Sequence, residues 1–331
     1  MKIGDITIKL KERFCKDCNI PIKLFHDPYF GLRLALFNSY YDTIRQWETF
    51  VESLEPYNNE QEYFEEYNRV KDKAISRIKD SEAYQGFNEE DMNQFAVQKN
   101  SVPSKDIYKP SNAGRVFISI DMRKANFSAL RHYDERMFMC DTEGLERVPA
   151  KTWEQFISQF TQNKHIIDSK YIRQVILGNC NPKRHITYER YLMEGVLNYV
   201  LERYFLPEEV VFLSNDELIV DVTSSVHNDE AGISMSEIES LEAELYNVLD
   251  LDMRVEMFTL HKIGGTEGYY KEIMTGEEEK PARIEFKCLD ALRLPFVIRA
   301  MDGQKVRDAD CMFYHEGLLA KFIDIPEIVV E

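Results

Sequence analysis

The stretch Arg115 to His132, RVFISIDMRKANFSALRH, constrains the fold of this chain more than any other. Val116, Phe117, Ile118 and Ile120 form an apolar run of strand length, the run ends on Asp121, and a helix-like segment follows at once. A carboxylate at a strand end is well placed to hold a metal ion. A second stretch, Val210 to Val222, reads VVFLSNDELIVDV. Two apolar runs flank Ser214-Asn215-Asp216-Glu217, and an Asn-Asp pair between two such runs predicts a hairpin with Asp216 and Glu217 at its tip.

Between these stretches lies Lys164 to Arg190, with six Lys and Arg (164, 170, 173, 183, 184, 190) against two acids, Asp168 and Glu189. This segment is locally basic inside a chain whose formal net charge is −17. Such acidity repels nucleic acid at long range, so any nucleic-acid role needs a local basic surface of this kind. A solvated helix face that balances acidic neighbours is the plainer account of it. No run approaches the roughly 18 apolar residues of a membrane helix, and Met1 to Leu10 has no signal-peptide core, so an intracellular protein without a membrane partner is expected.

With 331 residues, 44% of them hydrophobic, the chain is long enough for two domains or one large one. The expected class is α+β. Residues 1–110 read as a helical region and linker, 111–263 as a mixed central domain with an antiparallel sheet and flanking helices, and 264–331 as a β-rich remainder. Ile3, Ile6, Ile8 and Leu10 alternate as in a short strand. Phe37, Tyr40, Ile44, Trp47, Val51 and Leu54 recur as one helical stripe, and Tyr63, Tyr67, Val70, Ala74 and Ile78 as a second. Tyr84 to Ser111 is polar, with Gly86, Pro103 and Pro110, and reads as the linker.

Further on, Trp153, Phe156, Ile157 and Phe160 suggest a helix, and Thr187 to Tyr204 another, ended by Pro207. Ser236 with Glu239 makes a capping-box start, and a strand is expected near Arg254 to Leu260. Gly264, Gly265 and Gly268 read as a loop before an acidic turn at Glu277 to Glu279. Ile284 to Cys288 and Phe296 to Ile298 are strand-like, and MFYHEGLLAKFI forms a hairpin turning near His315. Cys15 and Cys18 form a lone CxxC pair with His26 nearby, but no second pair follows to complete a zinc site, which favours unligated thiols.

Two acids on strand ends with a basic helix between them suit two-metal phosphoryl transfer, in which carboxylates hold cations about 3.5–4 Å apart. Magnesium needs only a few carboxylates plus substrate phosphates, and fixed positive charge offsets that of the phosphoryl oxygens. Asp121 to His132, DMRKANFSALRH, resembles motif A of family A DNA polymerases through Asp121, Leu130 and His132, and LSNDELIVDV resembles motif C through Asp216, Glu217 and Leu218. RQVILG, Arg173 to Gly178, lies on part of motif B, so the order A, B, C is kept. Arg173 stands where the family has Lys, Ser169 where it has Arg (with Lys170 adjacent), Asn126 where it has Glu, and Asn215 where it has His. DMRKANF also resembles the opening of a reverse-transcriptase motif.

The resemblance spans Arg115 to Val222. It implies a polymerase palm with reduced fingers at 111–263 and a thumb-like region before it. It also implies magnesium on Asp121 and Asp216 with Glu217 assisting, and Lys170, Arg173, Lys183, Arg184 and His132 on the substrate side. Nucleoside triphosphates and a primer-template would be the partners, with a protein or product duplex for the C-terminal region. The alternative expectation is a binding or assembly protein on an inactive palm-like or ordinary α/β core.

Overall fold

The computed structural model describes residues 6–97, 107–141, 144, 146–226, 235–274 and 283–330. Five helices open the chain: α1 (Ile8–Asp17), α2 (Phe30–Tyr41), α3 (Thr43–Leu54), α4 (Glu60–Lys79) and α5 (Glu82–Glu89). The first corrects the end of the strand expected at Met1 to Leu10, since Ile8 to Leu10 is helical; residues 1–5 lie outside the described residues. Thr7 takes an extended N-cap conformation and its side chain accepts from the Leu10 amide, which starts a helix that buries Leu10, Phe14 and Cys15.

The stripe from Phe37 to Leu54 is divided between α2 and α3, not carried by one helix. Asp42 sits between them with φ of 52°, and the Asn38 side chain accepts from the Ile44 amide. Short polar side chains that bind nearby backbone offer the chain this alternative to continued helix, and they leave Ile44 exposed. The stripe of α4 matches the sequence pattern: Tyr63, Tyr67, Val70, Ala74 and Ile78 are all buried. The supposed linker also begins as structure, since α5 buries Ala83, Tyr84 and Phe87.

The central part runs β1 (Val116–Met122), α6 (Ala125–Tyr133), a small hairpin of β2 (Met139–Cys140) and β3 (Val148–Pro149), then α7 (Trp153–Ser158), α8 (Lys164–Asp168), α9 (Lys170–Gly178) and α10 (Pro182–Arg203). It continues through β4 (Val210–Leu213), β5 (Glu217–Asp221), α11 (Thr223–Val226), α12 (Met235–Leu249) and β6 (Met253–Gly264). After it come β7 (Tyr269–Ile273), β8 (Arg283–Lys287), α13 (Leu294–Met301), β9 (Met312–His315), β10 (Leu318–Lys321) and β11 (Val329–Val330). The strand expected at Phe296 to Ile298 is therefore the middle of α13, where Pro295 occupies the first turn. The acidic turn at Glu277 to Glu279 lies outside the described residues.

The principal sheet has the order β4-β5-β1-β6-β7-β8, with β11 on the end of β6, and every pairing is antiparallel. The fold is thus α+β. Side chains alternate across this sheet. Ile118, Ile120, Leu218, Val220, Val255 and Met257 face the main core, where α10 lies against β5 and α6, and α12 against β6. The other face carries Phe117, Ile219, Phe258 and Tyr269 under Ile107 at one end, and a band of charged residues at the other.

Residues 264–331 extend this same sheet through β7 and β8 and return to the N-terminal helices. Asp310 is buried between Arg299, at 2.9 Å, and Arg33 of α2, at 3.2 Å. Arg33 also donates to the carbonyls of Ala309 and Met312. At the β6–β7 turn, Gly265 has φ of 76° and a side chain there would meet the Glu327 carbonyl, so the glycine pair read as a loop is where the C-terminal segment crosses. The hairpin around His315 forms as expected, with Glu316 and Gly317 both at positive φ.

Candidate functional site

Asp121 is the penultimate residue of β1, opposite Glu217 on β5 and Arg254 on β6. Partners directly across an antiparallel pair share a face, so these three side chains stand together on the charged side of the sheet. The hairpin tip is fastened beside them. The Met122 amide donates to the Asp216 carbonyl at 2.8 Å, and the Ser214 hydroxyl donates to the Asp216 carboxylate at 2.9 Å and accepts from the Glu217 amide at 2.9 Å. Asp216 itself is exposed. The two acids, 95 positions apart in sequence (216 − 121), are neighbours because β5 pairs directly with β1.

Burial raises the Asp121 carboxyl above the ordinary aspartate value; Arg254 opposes this, and Glu217 and Asp216 add to it. Arg254 donates to Asp121 at 2.9 Å and also faces Glu256. Its own pKa is raised: burial works against the charge, but Glu256, Asp121 and Glu285 outweigh it. Glu217 accepts from Ser119 at 2.7 Å and from Lys271 at 3.1 Å. Burial pulls the Lys271 ammonium down, partly offset by Glu217.

A cleft of about 350 Å³ opens beside this cluster, and its charged lining comprises Asp121, Asp216, Lys124, Lys170, Arg173 and Glu189, with Asn126, Gln174 and His185 among the polar residues. Lys170, Arg173 and Gln174 are one face of α9, at spacings of three and four. Burial lowers the Arg173 pKa, and Glu154 offsets it in part. Glu154 also binds Lys124 at 2.6 Å.

The start of α9 is set from a distance. Ser169 caps it, accepting from the Ile172 amide, and donates to buried Asp17 of α1 at 2.9 Å. Asp17 also binds His165 and Arg13, each at 3.1 Å. Asp17→Ala is expected to destabilise the protein by about 2 kcal/mol in urea unfolding, since it strands Ser169, His165 and Arg13 without their acceptor. A cost below about 0.5 kcal/mol would exclude this anchoring role.

Of the sequence-predicted site residues, Asp121, Asp216, Lys170 and Arg173 converge on the cleft, and Glu217 adjoins it on the same sheet face. Three others lie elsewhere. His132 bridges the Tyr188 hydroxyl and the Leu249 carbonyl. Arg184 lies over the Phe87 ring and donates to the carbonyls of Phe87 and Glu90. Lys183 is exposed in the first turn of α10, outside the cleft lining. The reason is the start of α10: it begins at Pro182, not Thr187, and its rotation directs His185, Ile186 and Glu189 to the cleft and Arg184 to α5. Pro at the first helical position was the available signal for His185 and Glu189. Arg254 could not be found from local sequence, because only strand register brings it to Asp121.

The CxxC pair does not resemble a thiolate site. Cys15 is buried and Cys18 half-buried, and burial pushes both thiols up, Cys18 to about 12. Among the described residues no group of three or more His, Cys, Asp and Glu side chains is disposed to hold a metal ion, and no helix is long and apolar enough to cross a membrane. Comparison with family models, with curated proteins and with solved structures returns no match. Fold and site together define an α+β protein with a cleft lined by three carboxylates and three cationic side chains, at the end of β1 in an antiparallel sheet.

Proposed function

We propose that this chain is a template-dependent nucleotidyltransferase built on a polymerase-like palm. One observation carries the reading: Asp121, Asp216, Lys170 and Arg173, drawn from three separate stretches of sequence, line a single cleft. Asp121 and Asp216 supply hard oxygen donors, two of which suffice for magnesium when phosphates and water complete its shell. With a divalent cation bound, Asp121 and Asp216 would hold it where it could stabilise the phosphoryl oxygens and activate the attacking hydroxyl. Lys170 and Arg173 bind the triphosphate, and their fixed positive charge matches its anionic oxygens without reorganisation. Primer extension with magnesium by the native chain and by Asp121→Asn and Asp216→Asn tests the reading.

A second reading, a palm-like binding protein without catalysis, is favoured by the ion pairs already made: Arg254 holds Asp121 and Lys271 holds Glu217. Cation binding separates the two. A carboxyl whose folded pKa is raised costs stability that is absent below its unfolded value and complete above its folded value. A cation held by Asp121 and Asp216 removes that cost, so magnesium should raise the melting temperature at pH 7, less so as pH falls through the carboxylate range, and not in Asp121→Asn. At a concentration about 100 times Kd the stabilisation is about 2.7 kcal/mol. Equal magnesium shifts in native and variant protein would favour the second reading.

A further inference from the structure

We infer that His185, held by Glu189, is the proton donor to the pyrophosphate leaving group in this cleft, an inference that rests on the nucleotidyltransferase reading. Both side chains lie on α10 one turn apart, both are more than nine-tenths buried, and both line the cleft that contains Asp121, Asp216, Lys170 and Arg173. His185 Nδ1 lies 3.1 Å from a Glu189 carboxylate oxygen. The other ring nitrogen, Nε2, is buried and has no hydrogen-bond partner among the described residues.

A buried polar nitrogen without a partner is costly unless a ligand completes it. The carboxylate accepts from Nδ1–H and fixes the ring, as such pairs do in acid–base catalysis, so Nε2 is the nitrogen left to serve the cleft. The charged groups lining the cleft with the ring are Asp121 of β1, Lys124 before α6, Lys170 and Arg173 of α9, Asp216 of the β4–β5 turn, and Glu189 of its own helix. Lys170 and Arg173 line the same cleft and suit phosphate, so the leaving group is the partner assigned to a proton donor in it.

The step balances as follows. A hydroxyl oxygen of the primer forms a bond to the α-phosphorus, and the bond from that phosphorus to the bridging oxygen of the β-phosphate breaks. The electron pair of the broken bond stays on the pyrophosphate oxygen, which takes the proton from Nε2–H of the imidazolium. Neutral His185 remains, with Nδ1–H still on Glu189, and regains its proton from solvent after release. General acids of this kind contribute about 10²–10⁴-fold.

The test is single-turnover primer extension across pH with native chain, His185→Gln and Glu189→Gln, each checked for an unchanged melting profile. The native rate is expected to fall at high pH as the acid form of the donor is lost. His185→Gln should be at least about 100-fold slower and lack that alkaline limb. Glu189→Gln should slow extension and show the same leaving-group dependence in its loss, because the carboxylate that orients the ring through Nδ1 is gone. A second readout separates lost proton donation from a general loss of activity: the loss in His185→Gln should shrink with a β,γ-difluoromethylene triphosphate relative to the β,γ-methylene one, since a more acidic leaving group needs less help. If His185→Gln does not fold, the leaving-group dependence of the loss in Glu189→Gln decides alone, and a loss equal with both analogues would overturn the role. Extension by His185→Gln with the native limb and native leaving-group dependence would overturn the proton-donor role and leave the nucleotidyltransferase reading standing. No extension by the native chain overturns both.

Discussion

Primer extension by Asp121→Asn and by Asp216→Asn is expected to fall about 10³-fold or more, with the fold intact. The magnitude corresponds to the several kcal/mol of transition-state charge stabilisation that a carboxylate-held cation supplies in phosphoryl transfer. Asparagine keeps the shape and an acceptor oxygen, so Arg254 retains a hydrogen-bond partner while the negative charge is lost. Stability should move the other way. The Asp121 carboxyl is raised by burial first, with Glu217 and Asp216 reinforcing it against Arg254, so its ionised form is a cost to the folded state near neutral pH. Asp121→Asn should therefore melt no lower than the native chain at pH 7, the usual trade between a strained site and stability. Extension within tenfold of native in either variant would remove that residue from the reaction. A large fall in melting temperature would instead mark Asp121 as a structural ion-pair residue.

Asp310→Ala is expected to cost about 3–5 kcal/mol in urea unfolding, the scale set by removal of one partner from a buried ion pair. Two guanidiniums depend on this carboxylate: Arg299 donates to it at 2.9 Å and Arg33 at 3.2 Å, and the Arg307 amide donates at 2.8 Å. The side chains of Arg33 and Asp310 are 1% and 3% exposed, which leaves little room for water to replace the lost oxygens. Burial already lowers the Arg33 pKa against the pull of Asp310, so the charge is held at a cost even in the native state. A concerted Arg33→Met, Asp310→Leu, Arg299→Met replacement should accordingly lose far less than Asp310→Ala alone, because it removes the desolvated charges with their partner. An Asp310→Ala midpoint within about 1 kcal/mol of native would show that the contact between α2 and the C-terminal region is not held by this cluster.

The helices and strands whose burial is local were legible. Val116 to Ile120, Tyr63 to Ile78 and the Ser214 to Asp216 turn read correctly because period and turn chemistry are properties of a few neighbouring residues. Errors arose where short-range signals competed. Ile6, Ile8 and Leu10 alternate like the end of a strand, but Thr7 caps a helix that starts at Ile8. Phe296 to Ile298 is apolar enough for a strand, but it follows Pro295 in a first helical turn. In the site, Asp121, Asp216, Lys170 and Arg173 were legible because a charge on a strand end or helix face is visible in sequence. Lys183, Arg184 and His132 share that visibility, yet lie outside the cleft, because a helix directs adjacent residues about 100° apart and only its start residue says which.

By itself, then, the sequence determined the acids at two strand ends, the basic segment between them, the α+β alternation and the lack of any long apolar run, all of which follow from local pattern. Only the tertiary structure decided that β5 lies against β1 and β6 on its other side, which puts Asp216 beside Asp121 and Arg254 opposite it. It also decided that α10 presents His185 and Glu189 in place of Arg184, that Asp17 anchors the start of α9, and that the C-terminal region closes on α2 through Asp310. Each of these depends on strand register or helix rotation across more than 60 residues of sequence. Long-range pairing is selected by the whole core at once, and no short stretch carries it.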